Sequence, residues 1–313
     1  MTNGATALTT IAPALIVAVA LIIHALLPIP ASFHPITWWK QFAKQLSNKV
    51  NQGHARYQQF AGALAWAMMI LPSAALLWAV SSLVWQQQLY QLALLLLALD
   101  LRPMWKTIQT VINALQQDDK QQARRQLNQV LNRDCDTLSA LGIGKACAEY
   151  LIMGFGKHGW AVVFWFLFTG GIGALLYRLC SELSRVWSVK LDNYQDFGRV
   201  SHTIANTLSA LPLWLLWLCT FIGPQRQQIW QQRQTWWYWR PQVHGALLAS
   251  IGGQLSLSLA GPALYQGKKF IRVKLGGRIA PAPYHLHQLR TWLVYRIAVL
   301  IFLSAMLFIA IRW

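Results

Sequence analysis

Five apolar runs divide the chain, at about 7–27, 60–84, 159–177, 204–223 and 291–311, and each approaches or exceeds the roughly 20 residues a helix needs to cross a hydrocarbon core. A shorter run, LYQLALLLLALDL at 89–101, follows the polar link WQQQ at 85–88 and pairs with 60–84 as a helical hairpin. Segment 243–265 is less apolar and interrupted. The pattern predicts an all-α, polytopic integral membrane protein with about six transmembrane helices.

The longest polar stretch, 102–141, changes period. Val111, Ile112 and Leu115 follow helical spacing, as do Ala123, Leu127, Val130 and Leu131 beyond a break at Asp118-Asp119. Two amphipathic cytoplasmic helices are expected there, the second capped by an Asp. No solenoid repeat or low-complexity linker divides the chain, so 1–313 reads as a single domain. It includes the helical segment 102–141 and the Gly/Pro-interrupted segment 243–267.

Composition agrees with a membrane class: 55% of residues are hydrophobic, 12% are charged, and mean hydropathy is +0.34. Many Trp sit at the ends of apolar runs, including Trp38, Trp39, Trp85, Trp160, Trp187 and the cluster WWYWR at 236–240, as interfacial aromatics do. The start of the chain lacks a basic region before its apolar run, so that run reads as a retained span. A multi-pass membrane location follows.

The net charge of +18 suggests nucleic acid only until the basic residues are placed. They lie in loops between apolar runs, the arrangement of a cytoplasmic face against anionic lipid, so membrane lipids and not nucleic acid are the expected partners. Loop 28–59 has four Lys and Arg, 101–158 has eight and 224–290 has nine, which sets the N-terminus outside. Segment 178–203, with four basic and three acidic residues, fits either side. All nine acids fall at 100–149 or 182–196, which excludes an acidic dyad built from loops 28–59 and 224–290. The four Cys are scattered without a CxxC and read as small hydrophobes. His285 and His287 alone do not make a metal site, and no metal-binding residues are expected.

Residues 252–269, GGQLSLSLAGPALYQGKK, are apolar enough to enter a bilayer yet rich in helix breakers. Irregular backbone at membrane depth is tolerated where protein or a cavity covers it. Gly261, Pro262, Tyr265 and Gly267 are therefore expected to wall a cavity. Lys268, Lys269, Arg272, Lys274 and Arg278 would favour an anionic ligand or anionic lipid there. The alternative is a Gly-rich helix packed closely on a neighbour.

There is no P-loop, dinucleotide fingerprint, HExxH or GxSxG. The segment ALQQDDKQQARRQLNQVLNRDCDTL at 114–138 nevertheless resembles a signature of the cobalamin-biosynthesis CobD/CbiB membrane-protein family, with Arg133-Asp134 in its RD position. Glu149, Tyr177-Arg178, Lys190, Tyr194, Phe197, Gly198 and Pro212 match further family positions. Gly253, Leu255, Leu259, Gly261, Pro262, Tyr265 and Gly267 follow the family's AGALG..LGGP..Y.G, and His34-Pro35 with Trp38 follows its PHPV motif.

The resemblance implies a ligase-type reaction: an amide bond between adenosylcobyric acid and aminopropanol or its phosphate, as in adenosylcobinamide-phosphate synthase. It implies ATP and Mg²⁺ as cofactors and a corrinoid or another anionic ligand as partner. It suggests Glu149 and Asp134 as catalytic residues, and Arg133, Lys190, Tyr194, Gly261, Pro262, Tyr265, Gly267, Lys268 and His34 as substrate-binding residues. Much of the family's acidic set is replaced: Met153, Gly154 and His158 stand for Glu, Asn and Asp, and Ser181, Ser184, Ala205 and Lys268 stand where other polar or acidic residues are expected. Such a loss gives a second reading, a catalytically degenerate member acting as a membrane regulatory or binding protein, like the divergent relative AmpE. For Glu149 itself, the local alternative is an ion pair with Lys145, one helical turn away. For Arg133-Asp134, it is a mutual pair closing the helix.

Overall fold

A computed structural model describes residues 3–26 and 34–312, with side chains described for 13–26, 34–296, 298 and 299. Residue 27 of the expected run 7–27 therefore lies outside the described residues, and the run 291–311 is described mainly by its backbone. In chain order the helices are α1 (Asn3–Leu26), α2 (Pro35–Val50), α3 (Ala55–Leu83), α4 (Gln87–Ala98), α5 (Arg102–Gln116), α6 (Lys120–Val130) and α7 (Ala140–Gly154). A π-helical turn, Phe155–Trp160, leads into α8 (Ala161–Val186), followed by α9 (Arg199–Phe221), α10 (Arg226–Gln231), α11 (Arg233–Trp237) and α12 (Gln242–Gln254). Four short strands, β1 (Ser258–Ala260), β2 (Ala263–Tyr265), β3 (Lys268–Phe270) and β4 (Lys274–Gly276), precede α13 (Pro283–Arg312).

Among the described residues, three helical stretches are long and apolar enough to cross a membrane: Ala55–Leu83, the continuous Ala140–Val186, and Arg199–Phe221. The run expected at 159–177 is thus part of a longer element. That element bends at Gly170, whose φ of 71° and ψ of −170° leave the helical region. The Gln91 side chain accepts the Gly171 N–H there, which satisfies a donor that the bend exposes.

The chain divides into two compact units. One takes residues up to Asp100, His158–Leu208 and the end of α13. Its core includes Leu94, Leu95 and Ala98 of α4 with Ala161, Val162, Phe166 and Ala174 of α8. The polar link joins α3 to α4, and the Tyr90 hydroxyl donates to the Leu77 carbonyl at 2.6 Å near it. Helix α4 packs chiefly on α8 and α1 and not along α3, so the two helices do not form the hairpin that the pattern predicts.

The other unit takes Leu101–Lys157 and Ser209–Arg296. Helices α5 and α6 bury the centre of the expected stripe, Val111, Ile112, Ala123 and Leu127, while Leu115, Val130 and Leu131 are half-buried. Asp119 caps α6 by accepting the Gln122 N–H at 2.9 Å.

The interrupted segment 243–267 departs from an all-α architecture. It is helical only as far as Gln254. Beyond it, β1 pairs antiparallel with β4, and β2 with β3. Tyr265 opposes Lys268, so Gln266 and Gly267 form a two-residue turn with φ of 49° and 76°. Two consecutive positive values are the signature of a type I′ hairpin turn. Gly261-Pro262 falls between β1 and β2, where a residue without an N–H costs no strand pairing.

Candidate functional site

Residues 131–139, α7 and the β-hairpin place most of the expected site residues in one unit. Glu149, on α7, is the hub. Its Oε2 lies 3.2 Å from Arg272 Nη2 and 3.6 Å from Arg133 Nη1. All three side chains are largely buried, Glu149 at 13%, Arg272 at 18% and Arg133 at 9% exposure, so the charges compensate each other away from water. Arg272 also donates through Nε to the Gly261 carbonyl at 2.9 Å and lies 5.3 Å from the centre of the Trp239 ring. One guanidinium therefore joins the carboxylate, the Gly-Pro break and an aromatic face.

Lys145 does not take the role that helical spacing suggests. Its Nζ donates to Ser258 Oγ at 3.0 Å, while the ion-pair partners of Glu149 come from residues 133 and 272. Arg133 and Asp134 do not pair with each other either. Asp134 Oδ2 accepts the Gly267 N–H at 2.8 Å, and the Asp134 N–H donates to the Leu264 carbonyl at 2.9 Å. The loop thereby holds the hairpin tip through both its side chain and its backbone.

Tyr265 is buried, with its ring edge-on to Phe270 at 5.2 Å. Pro262, Gly267 and Lys268 are exposed. Burial pushes the Cys135 thiol above its usual range, with Arg133 pulling it partly back, which disfavours a thiolate nucleophile here.

His34, Lys190 and Tyr194 belong to the other unit. His34 caps α2, its Nδ1 accepting the Ile36 N–H at 3.3 Å. Burial lowers its pKa, and the neighbouring charges divide: Asp100 and Glu182 raise it, Arg178 and Lys40 lower it. Tyr194 places its hydroxyl 3.2 Å from Ser47 Oγ, and Lys190 is exposed. The same unit contains an ionic network that the motifs do not mark as a set. Arg178 meets Glu182 at 2.8 Å and Asp100 at 3.3 Å, and Lys40 meets Glu182 at 3.7 Å. Glu182 is completely buried. The Arg178–Glu182 contact is close but poorly angled, since the Glu182 oxygens lack a hydrogen-bond partner.

The sequence places Arg272 among the cations but gives no sign of its pairing with Glu149, because 123 positions separate them. Arg178 and Glu182 are legible as an i,i+4 pair. Among the described residues, no group of three His, Cys, Asp or Glu is placed to hold a metal ion.

The CobD/Cbib protein family model matches residues 17–293. A cobalamin biosynthesis protein CobD from Stutzerimonas stutzeri is 30% identical over 268 residues, covering 85% of this chain and 88% of its own length. The corresponding protein of Chromobacterium violaceum is 29% identical over 280 residues, covering 87% and 88%. A probable cobalamin biosynthesis protein CobD from Thermococcus kodakarensis is 24% identical over 183 residues, covering 58% and 61%. No solved structure matches.

Proposed function

Because the chain belongs to the CobD/Cbib protein family, we propose that it acts in cobalamin biosynthesis as an adenosylcobinamide-phosphate synthase-like protein. The reaction joins the carboxyl group of adenosylcobyric acid to the amine of aminopropanol or its phosphate, with net loss of water. The observation that carries this reading is the convergence of family positions 133, 134, 149 and 261–267 in one unit, around the Glu149–Arg272 pair.

In this reading Arg133 and Arg272, with Lys268 beside the hairpin tip, receive an anionic group of the substrate. Glu149 sets the two guanidiniums, and Asp134 fixes the turn that carries Gly267 and Lys268. The same cations fit the phosphates of ATP, which would supply carboxyl activation. The acids do not fit a protein-bound Mg²⁺. Glu149 is engaged by two guanidiniums and Asp134 by a backbone N–H, and no step is assigned to the metal.

The chain is further read as multi-pass in the bacterial inner membrane. The reading of about six spans rests on the three long apolar stretches, α1 and α13, together with α4, whose 12 residues make a short return arm and not a full crossing. Expression in a bacterium lacking its own synthase tests the function. Cobalamin-dependent growth on cobyric acid supports it. No growth, with the chain present in the membrane, favours the degenerate binding protein.

A further inference from the structure

After α9 ends at Phe221, the chain turns through Gly223-Pro224 into α10 and α11. A groove of about 380 Å³ lies at this bend, lined by Phe221, Arg226, Gln227, Trp230 and Gln231. Its aromatic wall is anchored. Phe221 stacks on Trp217 at 5.1 Å and meets Trp230 edge-on at 6.0 Å. Buried Trp236 packs against Trp214 and Trp217 at 6.3 and 6.0 Å. Trp230 and Trp237 are about half exposed, and the Arg233 guanidinium lies 5.6 Å from the Trp230 ring centre. Arg226 and Arg233 are exposed, and no acid occurs after Asp196.

Exposed indoles at the end of an apolar helix suit the membrane interface. Guanidiniums beside them, without carboxylates in the same segment, suit a phosphate. We propose that this groove binds one anionic phospholipid, with its phosphate on Arg226 and Arg233 and an acyl chain along Phe221 and Trp230. The aromatic wall selects a lipid over a soluble anion. The proposal rests on α9 spanning the membrane, but not on the synthase activity.

The test is native mass spectrometry of the full chain in detergent with equimolar phosphatidylglycerol and phosphatidylcholine. Phosphatidylglycerol should be retained preferentially. The preference should fall about fivefold for each of Arg226→Gln and Arg233→Gln, and excess inorganic phosphate should leave it unchanged. Equal retention of both lipids, a preference kept by the double variant, or its loss to inorganic phosphate would overturn the proposal. Carbonate extraction separates the two failures: wild-type protein released from membranes removes the span reading as well, whereas retained protein without lipid preference removes the lipid site alone.

Discussion

Asp134 and Gly267 are 133 positions apart, yet the Asp134 carboxylate accepts the Gly267 backbone N–H at 2.8 Å. This bond ties the polar loop after α6 to the tip of the β-hairpin. Asp134→Ala should loosen the tip by about 1 kcal/mol and speed amide exchange over residues 264–270. Asp134→Asn, which keeps an acceptor oxygen, should stay near wild type. Unchanged exchange in Asp134→Ala would show that the tip is held by other contacts.

Glu149→Leu would leave Arg133 and Arg272 without their shared counter-charge. Removing one partner from a buried ionic group costs about 3 kcal/mol, so thermal unfolding in detergent should shift markedly downward. Arg272→Lys should be intermediate in unfolding temperature, since it keeps a charge but loses the Nε bond to the Gly261 carbonyl.

Gly261 has φ of +99°, and an added Cβ would meet only Lys274 Cγ at 3.7 Å. The penalty for Gly261→Leu is therefore backbone strain of about 1–2 kcal/mol, without a severe clash at Cβ. Tyr265→Ala removes the ring packed on Phe270. Both variants should lose function in the growth assay while remaining in the membrane fraction; wild-type growth by both would remove the hairpin from the site.

His34 supplies a pH dependence. Burial holds its pKa below the ordinary 6.5, so the folded state prefers the neutral ring. Above pH 6.5 both states are neutral and stability is unaffected by this group. As pH falls below that value toward the lower folded one, the unfolded chain takes up a proton first and stability declines. Unfolding temperatures measured across this window should fall with acid in wild type and less steeply in His34→Asn, which retains a capping side chain.

The amphipathic helices were legible because Val111, Ile112, Ala123 and Leu127 repeat at helical spacing and Asp119 marks a cap. The strands also left a signal. Leu255, Leu257 and Leu259 alternate with Ser256 and Ser258 on the way into β1, a two-residue period that burial does not follow, since Leu257, Ser258 and Leu259 are all buried. Gln266-Gly267 supplies the turn of the β2–β3 hairpin. The apolar character of the segment favoured a membrane reading and masked that alternation. The partner of Glu149 was not legible. Local spacing points to Lys145, but the hairpin brings Arg272 to the carboxylate and turns Lys145 toward Ser258.

The most direct measurement is product formation by membranes containing the chain, supplied with adenosylcobyric acid, aminopropanol phosphate and ATP. Mass spectrometry should detect a product whose mass is the sum of the acid and amine less one water, and Glu149→Leu should reduce it. Absence of that product from folded, membrane-inserted wild-type protein, under conditions where another family synthase forms it, would contradict the synthase account.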